Sequence, residues 1–261
     1  MLEPWIPYKG NKAGIMDNIW ASMRSVAMPD PKGFVCPFCG GGAFEYFLAQ
    51  HGYKVLMSDI EKGVVELHKL CASEKGLETL RKWKEQAFTK EQFNAIKNED
   101  TAFSAYVRSL WSFSNDGKTY LTSLENQDNK IQQYFDGCAE PNTRYKHIED
   151  ISILHLQKNI DVEQRCCSYQ DVEIPEGFVC YCDPPYAGTW EYKAGGFDHQ
   201  AFYDWCLKQD ALVFISEYSM PDDFFLVEEY FKFNEGGGAL KRKAAVERLY
   251  ANKPVHKLSL F

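Results

Sequence analysis

Apolar positions mark two stretches of alternating strand and helix, separated by a purely helical one. Residues 34–38, Phe-Val-Cys-Pro-Phe, read as a short strand. A helix follows over residues 44–49, and Lys54–Asp59 reads as a second strand. Ile15, Ile19 and Met23 recur at helical spacing and predict a helix over residues 13–25; Val64, Val65 and Leu67 predict another over residues 61–71. From Ser73 to Arg165 strand-like runs stop. Helical stretches are expected at 74–87, 90–98, 101–113, 127–135 and 148–158, with a turn-rich loop over 114–120. Strand patterning resumes at 164–169. Phe178–Cys182 and residues 211–216 then form apolar runs of the kind that a strand covered on both faces needs. Asp198 is placed to cap a helix reaching residue 209, and residues 246–251 read as a terminal strand. The expected architecture is α/β. Residues 1–72 and 164–261 form one domain, interrupted by a helical insertion over residues 73–163.

The strand ends carry the candidate chemistry. After Phe178–Cys182 the chain runs Asp183-Pro184-Pro185-Tyr186. Asp183 closes a buried strand at the end where open α/β sheets bind ligands. The two prolines stiffen the turn and cannot donate backbone hydrogen bonds, so the Asp183 and Pro184 carbonyls are left as acceptors beside the Tyr186 ring. Such a corner suits a planar, amino-bearing substrate. The same tetrapeptide also reads as a turn that merely ends a strand.

Cys39-Gly40-Gly41-Gly42-Ala43 lies between the first strand and its helix. Glycines allow close backbone approach, and a helix N-terminus favours an anionic group. Asp59 ends the second strand 17 residues after Gly42, where a carboxylate can accept both hydroxyls of a ribose. This spacing fits a nucleoside cofactor. Glu45 stands where a dinucleotide fingerprint requires glycine, and no Lys-Ser pair makes a P-loop. The N-terminal residues, with Pro4, Pro7 and Gly10-Asn11, read as an extended arm bearing Tyr8 and Lys12. His68 reads as a surface or satisfied helix residue. Lys241, Arg242 and Lys243 follow a glycine triplet and form the densest basic cluster; they read either as a phosphate contact or as a solvated loop.

Composition narrows the class. The chain has 261 residues, 45% of them hydrophobic, enough for one large domain with an insertion. It carries 29 Lys+Arg against 37 Asp+Glu, a net charge of -8 that excludes a broad basic field for nucleic acid. Residues 73–165 hold 13 of the bases and 15 of the acids, so the acidic excess lies mostly outside the insertion. No apolar run reaches the ~18 residues of a membrane span, and no signal peptide is evident. The nine cysteines are read as reduced, in a cytoplasmic protein. Cys36 and Cys39 have half the spacing of a zinc site, but no second half follows, so no metal is expected.

The order of these pieces (a Pro-Phe-Cys-Gly-Gly-Gly loop, an acid after the second strand, a helical insertion, then Asp-Pro-Pro-Tyr) resembles the DNA adenine-N6 methyltransferases of the Dam-like, α-ordered class. The resemblance implies a Rossmann-like sheet, S-adenosylmethionine as cofactor and double-stranded DNA as partner, with no obligate protein partner. It assigns cofactor contacts to Tyr8, Lys12, Phe38, Gly40, Gly42, Asp59 and Ile60, to Tyr169 or Asp171, and to Asp183. It assigns catalysis on a flipped-out adenine to Asp183, Pro184 and Tyr186, and target recognition to the insertion; Lys118 and the basic cluster Lys241, Arg242 and Lys243 are expected as DNA contacts from their charge. Tyr8 stands where the Dam type has tryptophan. The rival expectations are methylation of another planar amine, such as RNA adenine or a glutamine amide, and a catalytically silent DNA-binding relative.

Overall fold

A computed structural model describes residues 2–26, 28, 30–187, 196–232 and 245–256. After the arm come α1 (Met16–Arg24), β1 (Gly33–Cys36), α2 (Ala43–Gln50), β2 (Lys54–Asp59) and α3 (Lys62–Ala72). The middle of the chain gives α4 (Gly76–Lys84), α5 (Lys90–Ile96), α6 (Ala102–Trp111), α7 (Gln127–Phe135) and α8 (Glu140–Lys158). The sheet resumes with β3 (Val162–Cys166) and β4 (Phe178–Cys182), then α9 (His199–Lys208), β5 (Val213–Glu217), β6 (Phe225–Lys232) and β7 (Ala245–Ala251).

The described strands form one sheet in the order β3-β2-β1-β4-β5-β7-β6. β1 pairs in parallel with β2 on one side and β4 on the other, while β7 runs antiparallel to both β5 and β6. The chain winds outward from β1 through β2 to β3, then returns to β4 on the opposite side. The β1/β4 boundary is therefore the topological switch point, where a crevice opens beyond the carboxyl ends of the strands. The central strands are the apolar runs of the sequence: β1 is buried throughout, and β4 is buried from Val179 to Cys182.

Two boundaries and one element differ most from the sequence reading. β3 ends at Cys166 rather than at Tyr169, because the Ser168 hydroxyl accepts from Gln170 N and starts a 3-10 turn over Tyr169–Asp171. α8 begins at Glu140, eight residues before its apolar stripe, with Pro141 in the first turn where its missing N–H costs nothing. β6 is an element that the period-2 pattern hides. A bulge between Leu226 and Glu228 puts the buried residues Val227 and Tyr230 three apart rather than two.

The insertion does not bury a core of its own. Leu80, Phe93, Tyr106, Trp111 and Tyr145 belong to one buried cluster with Phe34, Phe44 and Val55 of the sheet layer. The arm is docked rather than solvated. Glu3 N donates to Asp150 Oδ2 (2.9 Å) and Trp5 N to His147 O (3.3 Å), both on α8, while Ile6 N donates to Gly41 O (2.8 Å) in the glycine loop. No described helix is long and apolar enough to cross a membrane.

Candidate active site

A cavity of about 690 Å³ opens over the ends of β1, β2 and β4. The glycine loop forms its floor. Gly42 sits at φ +77° just before α2, and a Cβ on it would lie 2.9 Å from His68 and Tyr46. A Cβ on Gly41 would lie 2.2 Å from the Ile6 carbonyl. These glycines let the arm and α3 close on the loop. His68 is fully buried: its Nε2 is 2.9 Å from Gly40 O and its Nδ1 is 3.0 Å from the Tyr46 hydroxyl. A carbonyl only accepts, so Nε2 carries the proton and Nδ1 takes the Tyr46 hydrogen. Burial pushes its pKa down to about 4, so the ring is neutral and fastens the loop to α3.

Asp59 anchors one end of the cavity. Its Oδ2 accepts from Gly40 N (2.8 Å) and its Oδ1 from Glu61 N (2.9 Å). Burial pushes its pKa up to about 6, with the backbone N–H groups of Glu61, Gly40 and Ile60 opposing. The roughly four lone-pair sites of the carboxylate are not all filled by these N–H groups, which leaves room to accept from a ribose hydroxyl. Ile60 is 61% exposed and lines the cavity. Facing the same space are Phe38, Tyr169 and Phe197, with ring centroids 5.4–5.8 Å apart. Tyr8 lines the wall and donates through its hydroxyl to Glu61 Oε2 (3.0 Å), whose Oε1 is paired with Arg108 of α6.

The Asp183 corner forms the other end. Asp183 Oδ2 accepts from Lys12 Nζ at 2.6 Å, and Lys12 also lies 3.4 Å from Glu247 Oε1. The Lys12 and Glu247 side chains are 5% and 2% exposed and that of Asp183 is 19% exposed. Burial raises the Asp183 pKa against the pull of Lys12; burial lowers that of Lys12, but Asp183 and Glu247 outweigh it and the net shift is upward. Among the described residues no backbone N–H is bonded to Asp183 O or Pro184 O. The Tyr186 hydroxyl donates to Glu247 Oε1 (2.6 Å), and its ring packs edge-on to Tyr218, 4.7 Å between centroids.

Most of the residues singled out in the sequence therefore meet in one cavity: Tyr8, Lys12, Phe38, Gly40, Gly42, Asp59, Ile60, Tyr169, Asp183, Pro184 and Tyr186 all line it. Asp171 does not; it is exposed at the end of the 3-10 turn. Lys118 lies on the insertion, in a loop where Asp116 Oδ1 accepts from its N–H at 2.8 Å. Lys241, Arg242 and Lys243 fall outside the described residues.

Glu45, Glu217 and Glu247 escaped the sequence reading. Glu217 closes an apolar strand just as Asp59 and Asp183 do, so the signal was present. It accepts from Ala187 N and Tyr218 N, and burial pushes its pKa up to about 7. Glu247 interrupts the alternating face of β7 that carries Leu249 and Ala251, and an acid on an apolar face is itself a signal.

The model of the D12 class N6 adenine-specific DNA methyltransferases matches residues 8–210, most of the chain. The chain belongs to that family. It is a methyltransferase that uses S-adenosylmethionine, and its substrate is adenine in DNA. No curated protein matches it. Among solved structures, the rRNA methyltransferase aviRa from Streptomyces viridochromogenes is similar at 15% identity and TM-score 0.46, over 94% of this chain and 86% of that one. The methylase candidate HI0767 of Haemophilus influenzae gives 13% and 0.37, over 93% and 99%. The methyltransferase candidate SMU.472, complexed with SAH, gives 17% and 0.35, over 92% and 53%. The family assignment rests on the model match alone.

The cavity residues fit S-adenosylmethionine. Asp59 has acceptor capacity for ribose hydroxyls, Ile60 and the aromatic cluster offer apolar faces for adenine, and the lining carries seven acids against three lysines among the described residues. Such a lining suits a cofactor with a net positive charge.

Proposed function

We propose that this methyltransferase modifies adenine at specific sites in double-stranded DNA, in the reducing cytoplasm, after flipping the base out of the helix. One observation carries the reading. The Asp183-Pro184-Tyr186 corner and the Asp59 end open into the same cavity, at the switch point of the sheet. The adenine amine is a poor nucleophile because its lone pair is delocalised into the ring. The Asp183 carboxylate and the Pro184 carbonyl accept its two N–H bonds, which favours a pyramidal nitrogen and frees the lone pair. Tyr186 stacks on the base, held by Glu247. S-Adenosylmethionine, when bound, supplies a sulfonium methyl for in-line transfer to that amine. Positioning and electrostatics provide most of the acceleration. Flipping costs a few kcal/mol, roughly, and stacking offsets part of it.

Phe38, Gly40, Gly42, Tyr169 and Ile60 hold the nucleoside part, and Asp59 holds its ribose. Residues 73–163 read the target, with Lys118 near the phosphates; the Lys241, Arg242 and Lys243 cluster serves as a second contact. All nine cysteines are free, in keeping with a reducing compartment.

The test is transfer of tritiated methyl groups to duplex DNA, single-stranded DNA, RNA and protein. Duplex DNA is the expected acceptor, with label in N6-methyladenine. Asp183→Ala is expected to abolish transfer and leave cofactor binding measurable. Full activity in that variant, or transfer to RNA in preference to DNA, overturns the reading.

A further inference from the structure

One buried acid in the cavity has no part in the chemistry above. Glu45 lies in the first turn of α2, directly after the glycine loop, and is only 4% exposed, yet it lines the cavity. The groups that face it are the Cys36 thiol, which donates to its carboxylate, and the charges of Asp183 and Lys12; Cys39, Tyr46 and Tyr181 lie farther round it. No lysine or arginine is bonded to it among the described residues. A carboxyl buried next to another carboxylate is costly unless a cation joins it.

The strand order says which part of the cofactor reaches Glu45. Asp59 ends β2 and Asp183 ends β4, and β1 lies between them. With the ribose at Asp59 and the reacting centre at Asp183, the cofactor crosses the end of β1. The rest of its amino-acid tail then lies by the first turn of α2 and Lys12. That tail has a carboxylate and an ammonium. Lys12 and the N–H groups of the α2 terminus suit the carboxylate, and Glu45 is the buried acid beside them.

We propose that Glu45 is a cofactor-binding residue that accepts the positively charged amino group of the methionine moiety of S-adenosylmethionine. The inference rests on the cofactor assignment. Burial, reinforced by Asp183, pushes the Glu45 pKa up to about 8 in the free protein. Glu45 is therefore mostly protonated at pH 7 and loses its proton when the ammonium arrives.

The experiment is isothermal titration of the whole protein at pH 7, in buffers of different ionisation enthalpy. The ligands are S-adenosylhomocysteine and its analogue lacking the α-amino group, each against wild type and Glu45→Gln. In wild type the amino group is expected to tighten binding about tenfold or more and to release close to one proton. In Glu45→Gln the amino group is expected to be worth less than about threefold, with proton release lost. A purely structural Glu45 leaves the amino group worth the same factor in both proteins, and that result overturns the proposal. Proton release that persists in the variant also overturns it, because Asp183 is then its source. The wild-type comparison of the two ligands stands without any variant, so misfolding of Glu45→Gln does not rescue the idea. Failure of wild type to bind either S-adenosylmethionine or S-adenosylhomocysteine overturns the cofactor assignment itself and is told apart by that.

Discussion

Lys12 sits between two carboxylates, and its removal leaves both Asp183 and Glu247 in a buried site without their cation. Lys12→Met is expected to cost about 3 kcal/mol of stability, at the lower end for breaking a buried pair because Asp183 keeps some contact with solvent. Lys12 also holds the Asp183 pKa down against burial. Without it that pKa rises further, and Asp183 accepts N–H bonds best when ionised. The acid limb of the pH–rate profile is therefore expected to move to higher pH in Lys12→Met, as measured by methyl transfer at saturating cofactor. At this scale the sequence was half legible. Asp183 stood out because it closes an apolar run directly before two prolines, and Asp59 because it closes one 17 residues after the glycine triplet. Glu45 did not, because what distinguishes it is burial beside Lys12, 33 residues away in sequence; Glu247 carried a signal as an acid on an apolar strand face, but its partners Lys12 and Tyr186 are far away in sequence.

Elements were legible where burial was uniform. β1, β4 and β5 read as apolar runs because neighbours cover both their faces, and Asp198 caps α9 as expected, its side chain accepting from Ala201 N. β6 was lost because its bulge breaks the period. The glycine loop was found, but part of its reason was not. Gly41 and Gly42 are glycine because the arm and His68 press against them. Gly41→Ala is therefore expected to displace the arm backbone at Ile6 and cost ~1–3 kcal/mol, as overpacking does. Chemical denaturation measures the cost, and limited proteolysis at residues 1–12 measures the displacement; an arm as resistant as in wild type contradicts the account. His68→Phe is expected to loosen the same loop, since the Gly40 carbonyl and the Tyr46 hydroxyl both lose their partner.

Sheet and insertion share one buried cluster, so the molecule should unfold as a single cooperative unit. A circular dichroism and tryptophan fluorescence melt of the free protein is expected to give coincident transitions. Its pH dependence follows from three buried acids. Glu45, Asp59 and Glu217 rise from ordinary carboxylate values to about 8, 6 and 7. In each case the folded state binds its proton more tightly than the unfolded chain does. Their contribution to stability is full below about pH 4, falls as the pH climbs through each unfolded and folded value, and is lost by about pH 8. The melting temperature of the free protein is expected to decline between pH 4.5 and 8, with Glu45→Gln flattening the upper part of the decline. A flat profile in wild type contradicts these shifts. None of this was legible in the net charge, which counts acids and says nothing of where they are buried.

The docked arm has a mechanical consequence. An inserted segment joins its host at two points, and two points define an axis about which it can swing. Glu3 and Trp5 tie the arm to α8, and Ile6 ties it to the glycine loop. That strap is a third mount, away from the two covalent connections, and a body held at three points has no hinge axis left. For the insertion to rotate over the cavity as a rigid flap, the contacts of residues 3–6 would have to let go as well as the core it shares with the sheet.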